Sequence, residues 1–100
     1  MQTEDSQKIV ARFFEALYRL KATGVIRGKQ TFTRSHGINR WNLNTLEKDH
    51  SRDIFQPAWL TYLVNDYQVS AEWLLTGRGD MFKKKGGSAI LAPLAKTKQP

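Results

Sequence analysis

The sequence predicts an all-α fold: a compact domain of five short helices over residues 1–82, followed by a flexible basic tail over residues 83–100. Three observations carry this. Apolar residues recur at three- and four-residue spacing in five short runs, the period of a helix with one buried face. The runs are bracketed by residues that start and stop helices, with Asn, Ser or Pro before them and Gly after. No stretch shows the alternation of a half-buried strand, and periodicity ceases after Phe82.

Ser6 to Ala22 reads as the first helix, with Ile9, Phe13, Leu17 and Leu20 on its inner stripe and Val10 and Phe14 widening it. Asp5 or Ser6 can cap its start, because a short side-chain oxygen accepts from the free backbone N–H groups there. Gly24 suits its stop. A second helix is expected from Gly28 or Lys29 to about His36, with Phe32 as its main core residue. Gly37 supplies a turn, Ile38 ties that turn to the core, and Asn39 caps a third helix from Arg40 to about Lys48, buried through Leu43 and Leu46. Asp49 to Gln56 is a polar linker that Ile54 and Phe55 can pin. Pro57 fits the first turn of a fourth helix, where its missing N–H costs nothing, and Leu60, Leu63, Val64 and Tyr67 form the stripe. Ser70 can cap a fifth helix carrying Glu72, Trp73, Leu74 and Leu75, ended by Gly77 and Gly79.

Composition narrows the function classes. One hundred residues without a cysteine leave no disulfide or thiolate metal site. No apolar run approaches the roughly 20 residues needed to span a bilayer, and the polar start with Glu4 and Asp5 is unlike a secretion signal; a cytoplasmic protein is expected. The net charge of +7 is unevenly spread. Residues 83–100 hold five Lys and no acid, leaving +2 for the rest. Within that rest the charge is polarised: between Ala16 and Leu46 stand Arg19, Lys21, Arg27, Lys29, Arg34 and Arg40, and all nine acids lie outside. A positive field over two short helices and a tight turn is suited to lying on double-stranded DNA. The plainer reading is a solubilising surface.

Leu43 and Leu46 set the buried side of the third helix, so Arg40, Trp41, Asn44 and Thr45 fall on or near its outer side. Arg can pair with guanine O6 and N7, Asn with adenine, and Trp or Thr can touch a thymine methyl. Trp41 is equally compatible with packing on the linker or on a partner subunit. Arg27, Lys29 and Arg34 suit phosphate contacts, which add affinity and register without sequence information. Gln30, Asn39 and Asn42 complete the candidate phosphate set.

The run Phe32-Thr-Arg-Ser-His-Gly37-Ile38-Asn39 with Leu43 and Leu46 resembles the helix-turn-helix of the Cro/C1-type (XRE-like) DNA-binding family. Val69-Ser-Ala-Glu-Trp73-Leu74-Leu75-Thr76-Gly77-Arg-Gly79-Asp-Met-Phe82 resembles the ending of its phage-repressor-like members. The resemblance covers about residues 6 to 82. It implies a lambda-repressor-like domain, a bacterial or phage regulator binding as a homodimer, base-reading positions at Arg40, Trp41, Asn44 and Thr45, and pairing through the fourth and fifth helices. Several residues depart from the family pattern. Lys29 stands where a bracing Gln is common, Thr33 where Ala is usual, and His36 where an aliphatic residue is usual. Trp41 is unusual at a base-reading position, and the linker after the third helix is a couple of residues longer.

Other motifs carry no chemistry. Gly24 to Gln30 reads G-x-x-x-G-K-Q and lacks a spacer and the Ser/Thr of a phosphate-binding loop. His36 and His50 have no Cys and no evident carboxylate partner for a metal. Arg78-Gly79-Asp80 reads as turn residues, and Glu47 and Asp49 as the acidic end of the third helix. No nucleophile, acid or base set stands out, so neither catalysis nor a cofactor is expected. The expected activity is transcriptional regulation through a sequence-specific duplex contact. The alternative is a protein-interaction module on the same fold, an antitoxin or an adaptor, with Ile90, Leu91 and Leu94 of the tail engaging a protein partner.

Overall fold

The computed structural model describes residues 3–83. They form five helices in chain order, α1 (Glu4–Ala22), α2 (Lys29–His36), α3 (Arg40–Lys48), α4 (Ala58–Tyr67) and α5 (Ala71–Thr76). The basic tail expected beyond Lys83, with Ile90, Leu91 and Leu94, lies outside the described residues.

Three of the helices start on a short side chain whose oxygen accepts from a backbone N–H of the first turn. Thr3 does this for α1 toward Ser6, Asn39 for α3 toward Asn42, and Ser70 for α5 toward Trp73. For α1 this corrects the expected cap: Asp5 and Ser6 are already helical, and the helix begins at Glu4. Their acidic neighbours Glu4 and Asp5 instead occupy the first turn, where the helix dipole favours negative charge. Gly37 and Gly77 close α2 and α5 with φ of 65° and 81°, a left-handed conformation that a Cβ would strain. Pro57 sits one position outside α4, with helical dihedrals and its carbonyl accepting from Leu60 N–H.

The buried face of α1 runs through Val10, Phe13, Phe14, Ala16, Leu17 and Leu20, while Ile9 is only half-buried. Phe13 is the hub. Its ring meets Phe32 of α2 at 5.7 Å, Phe55 of the linker at 5.4 Å and Trp59 of α4 at 5.9 Å. The first two are edge contacts, which add about 0.5–1.5 kcal/mol each beyond burial. The polar stretch 49–57 is therefore anchored to the core by Phe55, with Ile54 packed beside it. Arg12 of α1 locks the far end of α5. Its Nε donates to Leu74 O at 2.7 Å and its Nη2 to Leu75 O at 3.1 Å, satisfying carbonyls that a helix end leaves free.

After Gly77 the chain returns along Val69. An antiparallel bridge pairs Val69 with Phe82, closed by Ser70 N–H to Met81 O and Lys83 N–H to Gln68 O, both at 2.8 Å. Sequence periodicity gives no hint of this bridge, because it is a single pair rather than a strand.

Candidate nucleic-acid interface

The side chains singled out in the sequence lie on α2, α3 and the segments flanking them. Gly37 turns the chain so that α3 leaves α2 after three residues, and Leu43 and Leu46 are fully buried. That burial fixes the rotation of α3 about its axis. Arg40 is exposed, and Trp41 is 69% exposed, so its indole packs neither on the linker nor on the core. Thr45 is half-buried. Arg27, Gln30, Arg34 and Asn39 are exposed, and Asn42 is half-buried. Asn39 Oδ1 is occupied by the cap, accepting from Asn42 N–H at 3.0 Å.

Asn44 and Lys29 depart furthest from a plain outward-facing set. Asn44 is half-buried, and its Oδ1 is enclosed without a hydrogen-bond partner. A two-point pairing with adenine uses amide oxygen and nitrogen together, so Asn44 must rotate about its side-chain torsions to make it. Leaving a carbonyl oxygen enclosed and unpaired costs about 1–3 kcal/mol, which favours that rotation once an outside donor is present. Lys29 is also not free. Its Nζ is ion-paired with Glu47 Oε1 near the end of α3. The other carboxylate oxygen, Oε2, accepts from the hydroxyl of Tyr18 on α1. One carboxylate thus ties three helices together. Partial burial and then the neighbouring charges of Lys21 and Lys48 pull the Lys29 ammonium below the ordinary lysine range.

Glu47 is the residue of this face whose partners sequence reasoning missed. The signal was its register. It lies four residues after Leu43 and next to Leu46, so it shares their inward side and cannot be a solvated helix terminus. Beside Lys29 a notch of about 160 Å³ opens between α1 and the start of α2, lined by Tyr18, Lys21, Arg27, Gly28, Lys29 and Gln30 among others.

His36 closes the other end of α2. Nδ1 lies 2.9 Å from Phe32 O and Nε2 lies 2.8 Å from Asp66 Oδ2. Each ring nitrogen thus faces an oxygen that can accept a hydrogen bond. The ring stacks on Tyr62 at 4.5 Å and leans on Phe32 and Tyr67. A carboxylate partner for His36 therefore exists in space, thirty residues away, where the sequence suggested none.

A separate apolar face lies on α4 and α5. Leu75 is 53% exposed there, and two adjoining depressions of about 310 Å³ each share Pro57, Leu60 and Leu75. Among the described residues no group of three His, Cys, Asp or Glu could hold a metal ion, and no helix is long and apolar enough to cross a membrane. The chain matches no protein-family model, no curated protein and no solved structure.

Proposed function

We propose that this chain is a sequence-specific DNA-binding transcriptional regulator of the repressor-like helix-turn-helix type that its sequence resembles. In this reading α2 and α3 are the two motif helices, and α3 is the recognition helix in the major groove. The observation that carries it is the contrast within α3: Leu43 and Leu46 are fully buried while Arg40 and Trp41, at the leading end, stand in solvent. Recognition helices of this type meet base edges with their N-terminal residues. Arg40 is the strongest candidate for a guanine pair, Trp41 offers apolar contact, and Thr45 and a rotated Asn44 follow one turn later. Exposed Arg27 and Arg34, with Gln30, Asn39 and Asn42, suit the phosphates on either side. The protein would act by occupying its site, without catalysis or a cofactor.

A homodimer places two such helices about one helical turn of DNA apart. The apolar face around Leu60 and Leu75 is the surface that suits this pairing. Selection of bound sequences from a random duplex pool at two salt concentrations tests both points. An inverted repeat is expected. Sequences without a shared motif would remove the claim of specificity.

The exposed Trp41 also favours a second reading, a protein-interaction module in which the indole is a buried anchor of a complex. A stoichiometric protein partner together with no salt-sensitive duplex binding would select it.

A further inference from the structure

We infer that Glu47 is an internal competitor for the phosphate that Lys29 would otherwise hold, so that it limits how tightly the basic face grips any duplex regardless of sequence. The inference rests on the DNA-binding reading above and adds a regulator of its sequence-independent component. Glu47 is an acid drawn into an otherwise basic face: its carboxylate sits against the Lys29 ammonium, with Lys21 and Lys48 close enough to act on that ammonium. It is not a loose surface partner. The Tyr18 hydroxyl donates to its second oxygen, which orients the carboxylate toward α2. The carboxylate presents one anionic oxygen to the ammonium, as a phosphate oxygen would, and keeps the other on the Tyr18 hydroxyl. The ammonium carries three donors, and the notch beside it, edged by Lys21, Arg27 and Gln30, is open to an incoming anion. A backbone phosphate arriving there meets a lysine whose charge is already matched, so its gain is reduced. Contacts at Arg40 and Trp41 are untouched by this competition, because both are exposed at the opposite end of α3. The consequence is a chain that relies more on base contacts than on its net charge.

The test is a salt titration of full-length wild type, Glu47→Gln, Tyr18→Phe and Glu47→Gln/Lys29→Met on a random-sequence duplex, with helicity checked by circular dichroism. Removing the carboxylate charge should steepen the slope of log K against log salt by about one contact and raise affinity roughly five- to tenfold at 0.1 M salt. The double variant should return to the wild-type slope. Tyr18→Phe keeps the carboxylate but loosens it, and should move both quantities the same way by less; it carries the test if Glu47→Gln fails to fold. A folded Glu47→Gln, or failing that Tyr18→Phe, with an unchanged slope or weaker binding overturns the inference while leaving wild-type DNA binding intact. Absence of salt-sensitive duplex binding by wild type sinks the DNA reading instead. Inorganic pyrophosphate then decides for Glu47: Glu47→Gln should bind it, with NMR shifts at Lys29, and wild type should not. A Glu47→Gln chain indifferent to both probes overturns the masking as well.

Discussion

The two ends of α2 are each fastened by one polar side-chain pair, and the two differ in which partner water reaches. At its start Lys29 meets Glu47 with side chains 30% and 21% exposed, on the basic face and beside an open notch. At its finish His36 meets Asp66 with the imidazole only 9% exposed and the carboxylate 54% exposed, the ring stacked on Tyr62 and flanked by Phe32 and Tyr67. At the first pair water reaches the cation itself, so an outside anion can compete for it. At the second, aromatic rings cover the imidazole, and water reaches the carboxylate instead. A pair near water can tune binding at little structural cost, whereas a pair within an aromatic cluster mainly holds the fold.

The largest expected effect lies at the shielded end. His36→Ala removes the ring's contacts with Phe32 O and Asp66 and the Tyr62 stack, and leaves a gap beside Phe32. A loss of about 2–3 kcal/mol is expected in urea unfolding at neutral pH. Lys29→Met, at the open end, should cost about 1 kcal/mol by the same measurement, because that pair is partly hydrated and carries no ring stack. Equal losses would erase the distinction between the two ends.

The next effect separates binding from folding. Arg40→Ala should weaken cognate duplex binding by about 1–3 kcal/mol and random duplex binding by less. Its unfolding midpoint should stay within about 0.5 kcal/mol of wild type, because Arg40 is exposed and no core contact depends on it. Equal loss on cognate and random duplexes would remove its base-reading role.

How much of this the residues announced in advance depends on the range of the interaction. Helix limits follow from local chemistry. Asn39, Ser70, Gly37 and Gly77 act on backbone groups within a turn, and Leu43 and Leu46 fix the rotation of α3 by periodicity alone. Thr3 shows the limit of such signals: Thr, Asp and Ser stand close together at the start of α1, each able to cap, and only the geometry selects Thr3. The candidate interface was legible where it depended on exposure, as at Arg40 and Trp41. It was not legible where partners are distant in sequence. Glu47 meets Lys29 eighteen residues away and Tyr18 twenty-nine away, and His36 meets Asp66 thirty away. Glu47 read only as part of the acidic end of the third helix, and Lys29 only as a phosphate contact, because neither partner lies within a helical turn of the other. Asn44 failed for a smaller reason. Helical register gives the direction of a side chain but not which way its terminal amide turns, and here the oxygen turns inward.

The smallest effect also carries opposite signs at the two ends of α2, which makes it a sharp comparison. Burial and then Asp66 push the Tyr67 phenol above its ordinary 10.0. The native state therefore keeps that proton longer than the unfolded chain does, and the associated stability is present below pH 10.0 and lost as pH rises through the native value. Lys29 is shifted the other way, below 10.5. There the unfolded chain binds more protons, so stability rises as pH climbs through the native value toward 10.5. Between about pH 9 and 11 the two terms oppose each other, and wild type should show a shallow net dependence. Tyr67→Phe removes the falling term and should leave stability rising with pH across that interval. Lys29→Met removes the rising term and should leave it falling. Urea midpoints measured at half-unit pH steps would resolve the divergence; parallel curves for the two variants would mean that neither group changes its proton affinity on folding.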